Sequence, residues 1–289
     1  MGLLRRGSMM KTIKQTRCIS LTIKYAVLIL FAFVFLFPVF QLILKSFMGD
    51  SDIIEGKLFP TAFSFSAYAK AIDVKYLWWL KNTLLIGIIN MVGITLSSSL
   101  CAYGFAKLKF KGREVCFSVV IATLMLPAIC MQIPLYKLYY GLGWTNTWLP
   151  LIVPGFCGGG ALNIFLMRQY MRGIPDSVCE AAKVDGANKF FIYAVIVMPM
   201  CLPIAGYVML MSFLGCWNDF MTPLLYINQE SLYNLSLGLY YRYVNNAGSI
   251  PPANIQMAAA TVMLIPCMIL FFFFQKILIN GVTVGAVKG

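Results

Sequence analysis

Six stretches of the chain contain no Asp, Glu, Lys or Arg and are each 19 to 26 residues long. An α-helix needs roughly 20 apolar residues to cross the hydrocarbon core of a bilayer. Because lipid offers no hydrogen bonds to an open backbone, spanning segments of this kind form helices. The sequence therefore predicts an all-α, polytopic membrane protein with six transmembrane helices, at 25–44, 84–106, 115–136, 149–167, 192–217 and 255–275.

The composition agrees with a membrane protein. Charged residues make up 11% of the chain and hydrophobic residues 60%, whereas a soluble domain carries roughly 25% charged residues. The absence of histidine excludes histidine-based metal sites and histidine acid–base catalysis. The 9 cysteines form no C-x-x-C pair and lie mostly in apolar runs, so we expect small buried hydrophobes.

The positive charges predict the orientation. If the N-terminus is cytoplasmic, the inner segments hold 16 Lys and Arg against 4 Asp and Glu, and the outer segments hold 7 against 6. The positive-inside rule therefore favours a cytoplasmic segment 1–24, a transmembrane domain 25–289 and a cytoplasmic tail 278–289. These cations flank apolar runs instead of forming a basic face, so we expect no nucleic-acid partner.

The predicted cytoplasmic loop between spans four and five reads "IPDSVCEAAKVDGANKFF". It predicts a short helix at about 176–188, with Ser177 and Glu180 as a capping box. Gly186 offers the left-handed conformation that ends a helix, and Asn188 can cap the next helix. A helix of this length is not stable alone in water, so it must dock on another surface.

Two interpretations are possible for the surface on which this helix docks. The small side chains of Ala181, Ala182 and Ala187 would let a partner approach closely, while Glu180 and Asp185 would add charge for orientation. The alternative is an ordinary helix–turn connection packed on its own bundle.

Prolines predict bends in two spans. Pro127 and Pro134 flank Gln132 in span three, and Pro199 and Pro203 lie in span five. Because proline frees backbone groups and bends a helix, we expect these spans to line a cavity.

Small and polar residues mark span four and the outer end of span five. The glycines in "GFCGGGALN" predict close helix packing, or alternatively a flexible gate. Gln132 and Asn163 would form interhelical hydrogen bonds or contact a sugar. Trp217 could stack on a sugar ring or rest in the membrane interface, and Asn218 and Asp219 could bind hydroxyls or a docked protein.

Several motifs carry a family resemblance. "EAAKVDGA" is followed by Pro199 and Pro203, "LKNTLLIGIINMVGITLSSSLCAYGFAKLKFKGRE" precedes it, and "WNDFMTPLLYI" and "INGVTVGAVKG" come later. In this order they resemble permease subunits of binding-protein-dependent ABC importers, in particular the maltose-type second permease. Departures are small: Met198 stands where Leu usually precedes the proline, and Cys179 where a polar residue is common.

The resemblance implies a type I ABC importer permease core in a bacterial cell membrane. The EAA segment would be a coupling helix seated in a cytoplasmic ATPase subunit. Glu180 and Asp185 would hold its orientation, Ala181 and Ala182 its close contact, and Gly186 its turn.

The implied partners are a second homologous permease, two ATPase subunits, an extracellular or periplasmic binding protein, a sugar and the lipid membrane. The chain itself would need no cofactor, because ATP and Mg would be bound by the ATPase subunits.

An ion-coupled secondary sugar carrier is the main alternative. Such carriers usually hold acidic or basic side chains at membrane depth, and the six predicted spans contain no Asp, Glu, Lys, Arg or His. A membrane enzyme would need a nucleophile–base pair or a metal cluster. The stretch "GDSDIIEGKL" does not have phosphate-loop spacing, so we expect the chain to hydrolyse no ATP itself.

Overall fold

The computed structural model describes residues 2–245 and 252–286, with side chains described for 21–245 and 252–276. Within these ranges the chain is all-α and holds no strand. Residues 1 and 287–289, which belong to the predicted cytoplasmic ends, lie outside the description. The helices are α1 (Gly2–Ser46), α2 (Asp50–Ile54), α3 (Ser66–Ala71), α4 (Val74–Lys107), α5 (Arg113–Ala122), α6 (Ala128–Gly141), α7 (Leu149–Phe156), α8 (Ala161–Arg172), α9 (Asp176–Val184), α10 (Lys189–Phe191), α11 (Met198–Met200), α12 (Leu202–Asn218), α13 (Met221–Tyr226), α14 (Leu235–Tyr243) and α15 (Ala253–Ala286).

All six predicted spans coincide with long apolar helical segments. Among the described residues, four segments are each long and apolar enough to cross a bilayer: Leu21–Ser46, Val74–Lys107, Leu149–Arg172 and Ala253–Lys276. The two other spans are bent pairs, Arg113–Met125 with Ala128–Gly141 and Lys189–Met200 with Leu202–Asn218. The described chain therefore has four candidate spans, or up to six if each bent pair crosses once. The orientation stays a prediction.

The apolar surface of α1 shows why this chain needs a membrane. Phe31, Phe33 and Phe35 are 55%, 66% and 71% exposed, and no residue in the most apolar window of this helix is buried. In water each such side chain would forgo about 1.5–3 kcal/mol of burial free energy. A contiguous apolar face of this size is typical of contact with lipid.

The described chain divides into two compact units. The first comprises residues 2–71 and 252–262. In it, the Phe47 ring packs within 5.2 Å of both Phe65 and Tyr68, measured between ring centroids. Asp52 accepts hydrogen bonds from Lys57 Nζ at 2.8 Å and from the Thr61 backbone N–H at 3.0 Å, and together these contacts lower the pKa of Asp52 to about 2. These bonds order the segment between α2 and α3.

The second unit comprises residues 72–245 and 263–286, and α4 is its central element. This unbroken helix of 34 residues packs against α7, α8, α12 and α14. Small residues make the contacts close. A Cβ at Gly155 would lie 2.6 Å from Asn90 Oδ1, and a Cβ at Gly159 would lie 2.5 Å from the Ile94 carbonyl oxygen. The predicted close packing of span four is therefore confirmed.

The N-terminal end of α4 is held by polar bonds and by α14. Asp73 caps α4 by accepting a hydrogen bond from the Tyr76 backbone N–H at 2.8 Å, and it also accepts one from Arg242 Nη1 at 2.9 Å. Gly238 of α14 lies against the buried indole of Trp79. The N-terminal end of α4 is thus fixed within this unit. Contacts described below fix its C-terminal end.

Three breaks interrupt the remaining spans. The predicted bend of span three measures 101° and occurs at Pro127, whereas Pro134 lies inside the unbroken α6. Span five bends by 82° near Cys201, between Pro199 and Pro203, and a π-helix precedes the bend. In span four, Gly158, Gly159 and Gly160 have φ of +94°, +68° and +90° and separate α7 from α8. Glycine adopts such angles without steric cost.

We expect Gly238→Ala to destabilise the protein. The new Cβ would lie 2.2 Å from Trp79 Cδ2, inside a buried ring that has little room to move. Overpacking of this kind costs about 1–3 kcal/mol. The apparent melting temperature of the purified protein in detergent measures the loss.

Gly215→Ala is the matched control, because nothing lies within 4 Å of its Cβ position in α12. Alanine favours a helix over glycine by about 1 kcal/mol, so this variant should be neutral or slightly more stable. Equal melting temperatures for the two variants would contradict the close approach of α14 to α4.

Candidate functional site

The short helix predicted in the loop between spans four and five is α9, a helix of nine residues. It begins one residue after Pro175, and the Val178 backbone N–H donates to the Pro175 carbonyl at 3.3 Å. Ser177 lies inside the first turn, so the predicted capping box with Glu180 is wrong. Proline already supplies the extended residue at which the helix starts, with φ of −58° and ψ of 135°.

The turn after α9 is built as predicted, although the helix ends at Val184 and not at about residue 188. Gly186 has φ of +85°, and its N–H donates to the Lys183 carbonyl at 3.1 Å. The Ala187 N–H donates to the Ala182 carbonyl at 2.9 Å. This pair of bonds is a Schellman motif, which satisfies the last carbonyls of a helix and needs a left-handed residue at its centre. Two residues later, Asn188 Oδ1 accepts from the Phe191 N–H at 2.8 Å and caps α10, as predicted.

The two faces of α9 differ sharply. Glu180, Ala181, Asp185 and Gly186 are exposed. Cys179 and Ala182 are buried in the core of the second unit, at 5% and 9% exposure. Ala182 therefore packs mainly on its own chain, its remaining surface lines the recess described below, and its close contact with a partner stays a prediction. The exposed face carries Glu180 and Ala181, together with Lys183 and the 88% exposed Val184, and Asp185 follows at the end of the helix.

A hydrophobic core lies beneath the buried face of α9. Its members come from α4, α8, the π-helix Ile192–Val197, α12 and the turns that follow α8 and precede α12: Ala102, Tyr103, Met167, Met171, Ile174, Ile192, Tyr193, Val197, Cys201, Ala205 and Val208. A helix too short to be stable in water is therefore stabilised by tertiary packing. Beside it, a shallow recess of about 430 Å³ is lined by Ala182, Asp185, Gly186, Ala187, Asn188, Phe191 and Ile196.

Hydrogen bonds from α4 hold the segment that contains α9 at both ends. Lys107 Nζ donates to the Ile174 carbonyl at 2.6 Å and to Asp176 Oδ1 at 2.7 Å. Tyr103 Oη donates to the Lys189 carbonyl at 3.0 Å. Sequence reasoning did not assign these two residues to the site, although the "AYGFAK" end of span two contains both. Their partners are 67 and 86 residues away along the chain, so only the fold brings them together.

Lys107 is almost enclosed, whereas its carboxylate partner is open to solvent. The side chain of Lys107 is 4% exposed and that of Asp176 is 74% exposed. The hydrogen bond from Lys107 is the main cause that lowers the pKa of Asp176, and its positive charge adds to the effect. The carboxylate is therefore ionised at neutral pH and retains its bond to the first turn of α9.

A second buried cation joins α8 to the start of α5. Arg168 Nη2 donates to both carboxylate oxygens of Glu114 at 2.8 Å, and its Nε donates to the Phe105 carbonyl at 3.2 Å. The guanidinium carbon lies 3.7 Å from the centre of the Phe117 ring. This Arg168 cluster braces the ends of α4, α5 and α8 on the same side of the second unit as α9.

Asn163, the polar residue predicted within span four, bonds within its own span. Asn163 Nδ2 donates to the Gly159 carbonyl at 2.7 Å, one turn earlier in its own span. Its bond is therefore neither interhelical nor directed at a cavity, and it closes the first turn after the glycine break. Gln132 is half-buried in α6, between the two prolines of span three.

The outer motif of span five is mostly engaged within the chain. Trp217 is 2% exposed and stacks on Phe213 with ring centroids 5.6 Å apart, so it offers no free face to a sugar or to the membrane interface. Asn218 is exposed, and its Nδ2 donates to the Leu214 carbonyl at 2.9 Å. Asp219 is half-buried and accepts from the Thr222 N–H at 3.1 Å. Among the described side chains, no hydrogen bond joins Gln132 or Asn163 to this motif.

Comparisons with known proteins identify the family. Residues 93–284 match the family described as "Binding-protein-dependent transport system inner membrane component". The arabinooligosaccharides transport system permease protein AraQ of Bacillus subtilis is 32% identical over 280 residues, covering 94% of this chain and 96% of the relative. The trehalose/maltose transport system permease protein MalG of Thermococcus litoralis is 29% identical, covering 90% and 94%.

A solved structure has the same fold. It belongs to a bacterial ABC transporter involved in the import of the acidic polysaccharide alginate. Its matching chain superimposes with a TM-score of 0.80 at 25% identity, and the match covers 88% of this chain and 94% of that one. The motif-based resemblance is confirmed by these matches, as is an ABC importer permease fold in a multi-pass membrane protein. The chain therefore belongs to the family of binding-protein-dependent transport system inner membrane components.

Proposed function

We propose that this chain is the transmembrane permease subunit of an ATP-driven importer for a sugar or oligosaccharide in a bacterial plasma membrane. Family membership supports a transport role, and the relatives named for arabinooligosaccharides and for trehalose or maltose support a carbohydrate substrate. Neither the family nor these relatives favours an ion-coupled secondary carrier.

One observation carries the coupling mechanism: α9 has one face packed into the core and one face exposed. The exposed face holds Glu180, Ala181 and Asp185, while Cys179 and Ala182 are buried. A short helix fixed on one side can transmit force from a surface bound to its other side. We assign the exposed face to a cytoplasmic ATPase subunit, with Ala181 in close contact and the carboxylates setting orientation.

Gly186 has a separate role in this scheme. Its left-handed backbone makes the turn that joins α9 to span five, so it fixes the direction in which α9 leaves the bundle. The recess that Gly186, Asn188 and Phe191 help to line lies next to the exposed face and could receive a side chain of the ATPase.

We assign this chain no ATPase site, so the importer needs partner proteins that supply the energy and the rest of the pathway. ATP hydrolysis with Mg would take place in two cytoplasmic ATPase subunits, a second homologous permease would complete the pathway, and an external binding protein would deliver the sugar. Of the five residues predicted for the pathway, Asn218 is exposed and is the best candidate for sugar contact, while Gln132 is half-buried. Trp217 and Asn163 would need a different conformation to reach a substrate, and Asp219 is half-buried.

We expect Ala181→Trp to weaken binding of the ATPase subunits, because an indole on the exposed face would hold the two surfaces apart. Copurification of the ATPase with the tagged permease measures this binding, and a loss of about tenfold corresponds to 1.4 kcal/mol. Ala69→Trp is the matched control, since Ala69 is also an exposed helical alanine, on α3. Normal copurification with Ala181→Trp would argue against this docking face.

We expect Gly186→Val to uncouple ATP hydrolysis from uptake, because a β-branched residue cannot easily adopt φ of +85°. The readout is labelled oligosaccharide taken up per ATP hydrolysed in proteoliposomes that contain the assembled complex. Gly143→Val is the control: it imposes the same kind of strain at φ of +70°, in open space and away from α9. A similar loss in both variants would show that strain alone, and not the turn after α9, causes the defect.

A further inference from the structure

We propose that Lys107 is a positioning residue for coupling, which fastens α9 to α4 so that displacement of α9 moves α4 directly. This inference rests on the proposed function of α9 as the ATPase-binding helix. It adds a route by which force passes from α9 to α4, the helix of span two. This route is separate from the backbone connection that leads from α9 into span five.

Three α4 side chains form a ladder of contacts with the segment around α9. Ser99, Tyr103 and Lys107 are four residues apart, so they lie on one face of the helix. Ser99 Oγ lies 2.7 Å from the Tyr193 hydroxyl, and Tyr103 and Lys107 bond to the backbone on either side of α9. The ladder therefore holds the whole segment from residue 174 to residue 193.

Lys107 is the strongest member of this ladder. Its ammonium makes two charged hydrogen bonds, to the Ile174 carbonyl and to Asp176, and hydrogen bonds with an ionised partner are roughly twice as strong as neutral ones. Because its side chain is 4% exposed, water has little access to the ammonium, whereas the Asp176 carboxylate is open to solvent. Removing the ammonium would leave the Ile174 carbonyl without this donor.

The route through the chain itself is less stiff. After α10 the backbone passes through the π-helix Ile192–Val197 and then bends by 82° before α12 begins. In contrast, α4 is unbroken over 34 residues, which corresponds to about 50 Å at a rise of 1.5 Å per residue. A rigid element transmits displacement better than one interrupted by breaks.

The packing of α4 gives such a displacement a consequence. This helix contacts α7, α8, α12 and α14, and its far end is tied to α14 by the bond between Asp73 and Arg242. A shift of α4 along its axis would therefore move contacts at both ends of the second unit. Lys107 lies at the end where the force would enter.

The test uses the full complex, reconstituted with its partner permease, ATPase subunits and binding protein in proteoliposomes. The probe is labelled arabinotriose or maltotriose, whichever the wild-type complex takes up, and the readout is sugar taken up per ATP hydrolysed. We expect Lys107→Met to lower this ratio at least about tenfold, because it removes two charged hydrogen bonds and the loss of one alone corresponds to about that change. Lys107→Arg keeps the charge and should restore most of the ratio.

Two further variants separate positioning from general damage. Asp176→Asn removes the ionised partner but keeps the bond to the Ile174 carbonyl, so we expect a smaller loss. Lys111→Met removes an exposed cation four residues later and should behave as wild type. If Lys107→Met fails to assemble, the Asp176→Asn variant decides: an assembled complex with a lowered ratio supports the proposal, and one with an unchanged ratio overturns it.

The outcomes distinguish this inference from the proposed function. A wild-type complex that takes up neither sugar, or that assembles without the ATPase, contradicts the proposed function. Wild-type uptake together with an unchanged ratio in an assembled Lys107→Met complex contradicts only the role of Lys107. A loss that Lys107→Arg does not restore also overturns it.

Discussion

The attachment of α9 to α4 is the interaction on which the account of this protein depends. A nine-residue helix cannot hold its shape in water, so its geometry has to come from the bundle. The buried ammonium of Lys107 supplies one end of this support, the Tyr103 hydroxyl supplies the other, and Cys179 and Ala182 fill the core between them. With these contacts in place, the remaining face of α9 is presented at a fixed position and angle.

The rest of the second unit divides into stiff and interrupted elements. The central helix α4 is unbroken, and glycines bring α7, α8 and α14 close to it. Spans three and five are bent by 101° and 82°, and three glycines interrupt the helix of span four. A transporter that alternates between two states needs both kinds of element, since rigid bodies must move about defined breaks. The proposed role of α4 follows from this contrast.

Local features could be predicted from the sequence, and long-range ones could not. The spans, the left-handed turn at Gly186 and the cap at Asn188 depend on neighbouring residues, so pattern and turn chemistry identified them. The capping box at Ser177 failed because the helix is capped by Pro175, two residues earlier. The bonds of Lys107 and the burial of Trp217 depend on residues far away in the chain or on side-chain packing, which composition and spacing do not reveal.

The most direct test of the central claim is photocrosslinking from the exposed face of α9 in the assembled complex in its membrane. A photoreactive amino acid at Ala181 should crosslink to the cytoplasmic ATPase subunit, while the same group at Ala69 should not. Crosslinking from Ala181 to the external binding protein, or to no neighbouring chain at all, would contradict the account.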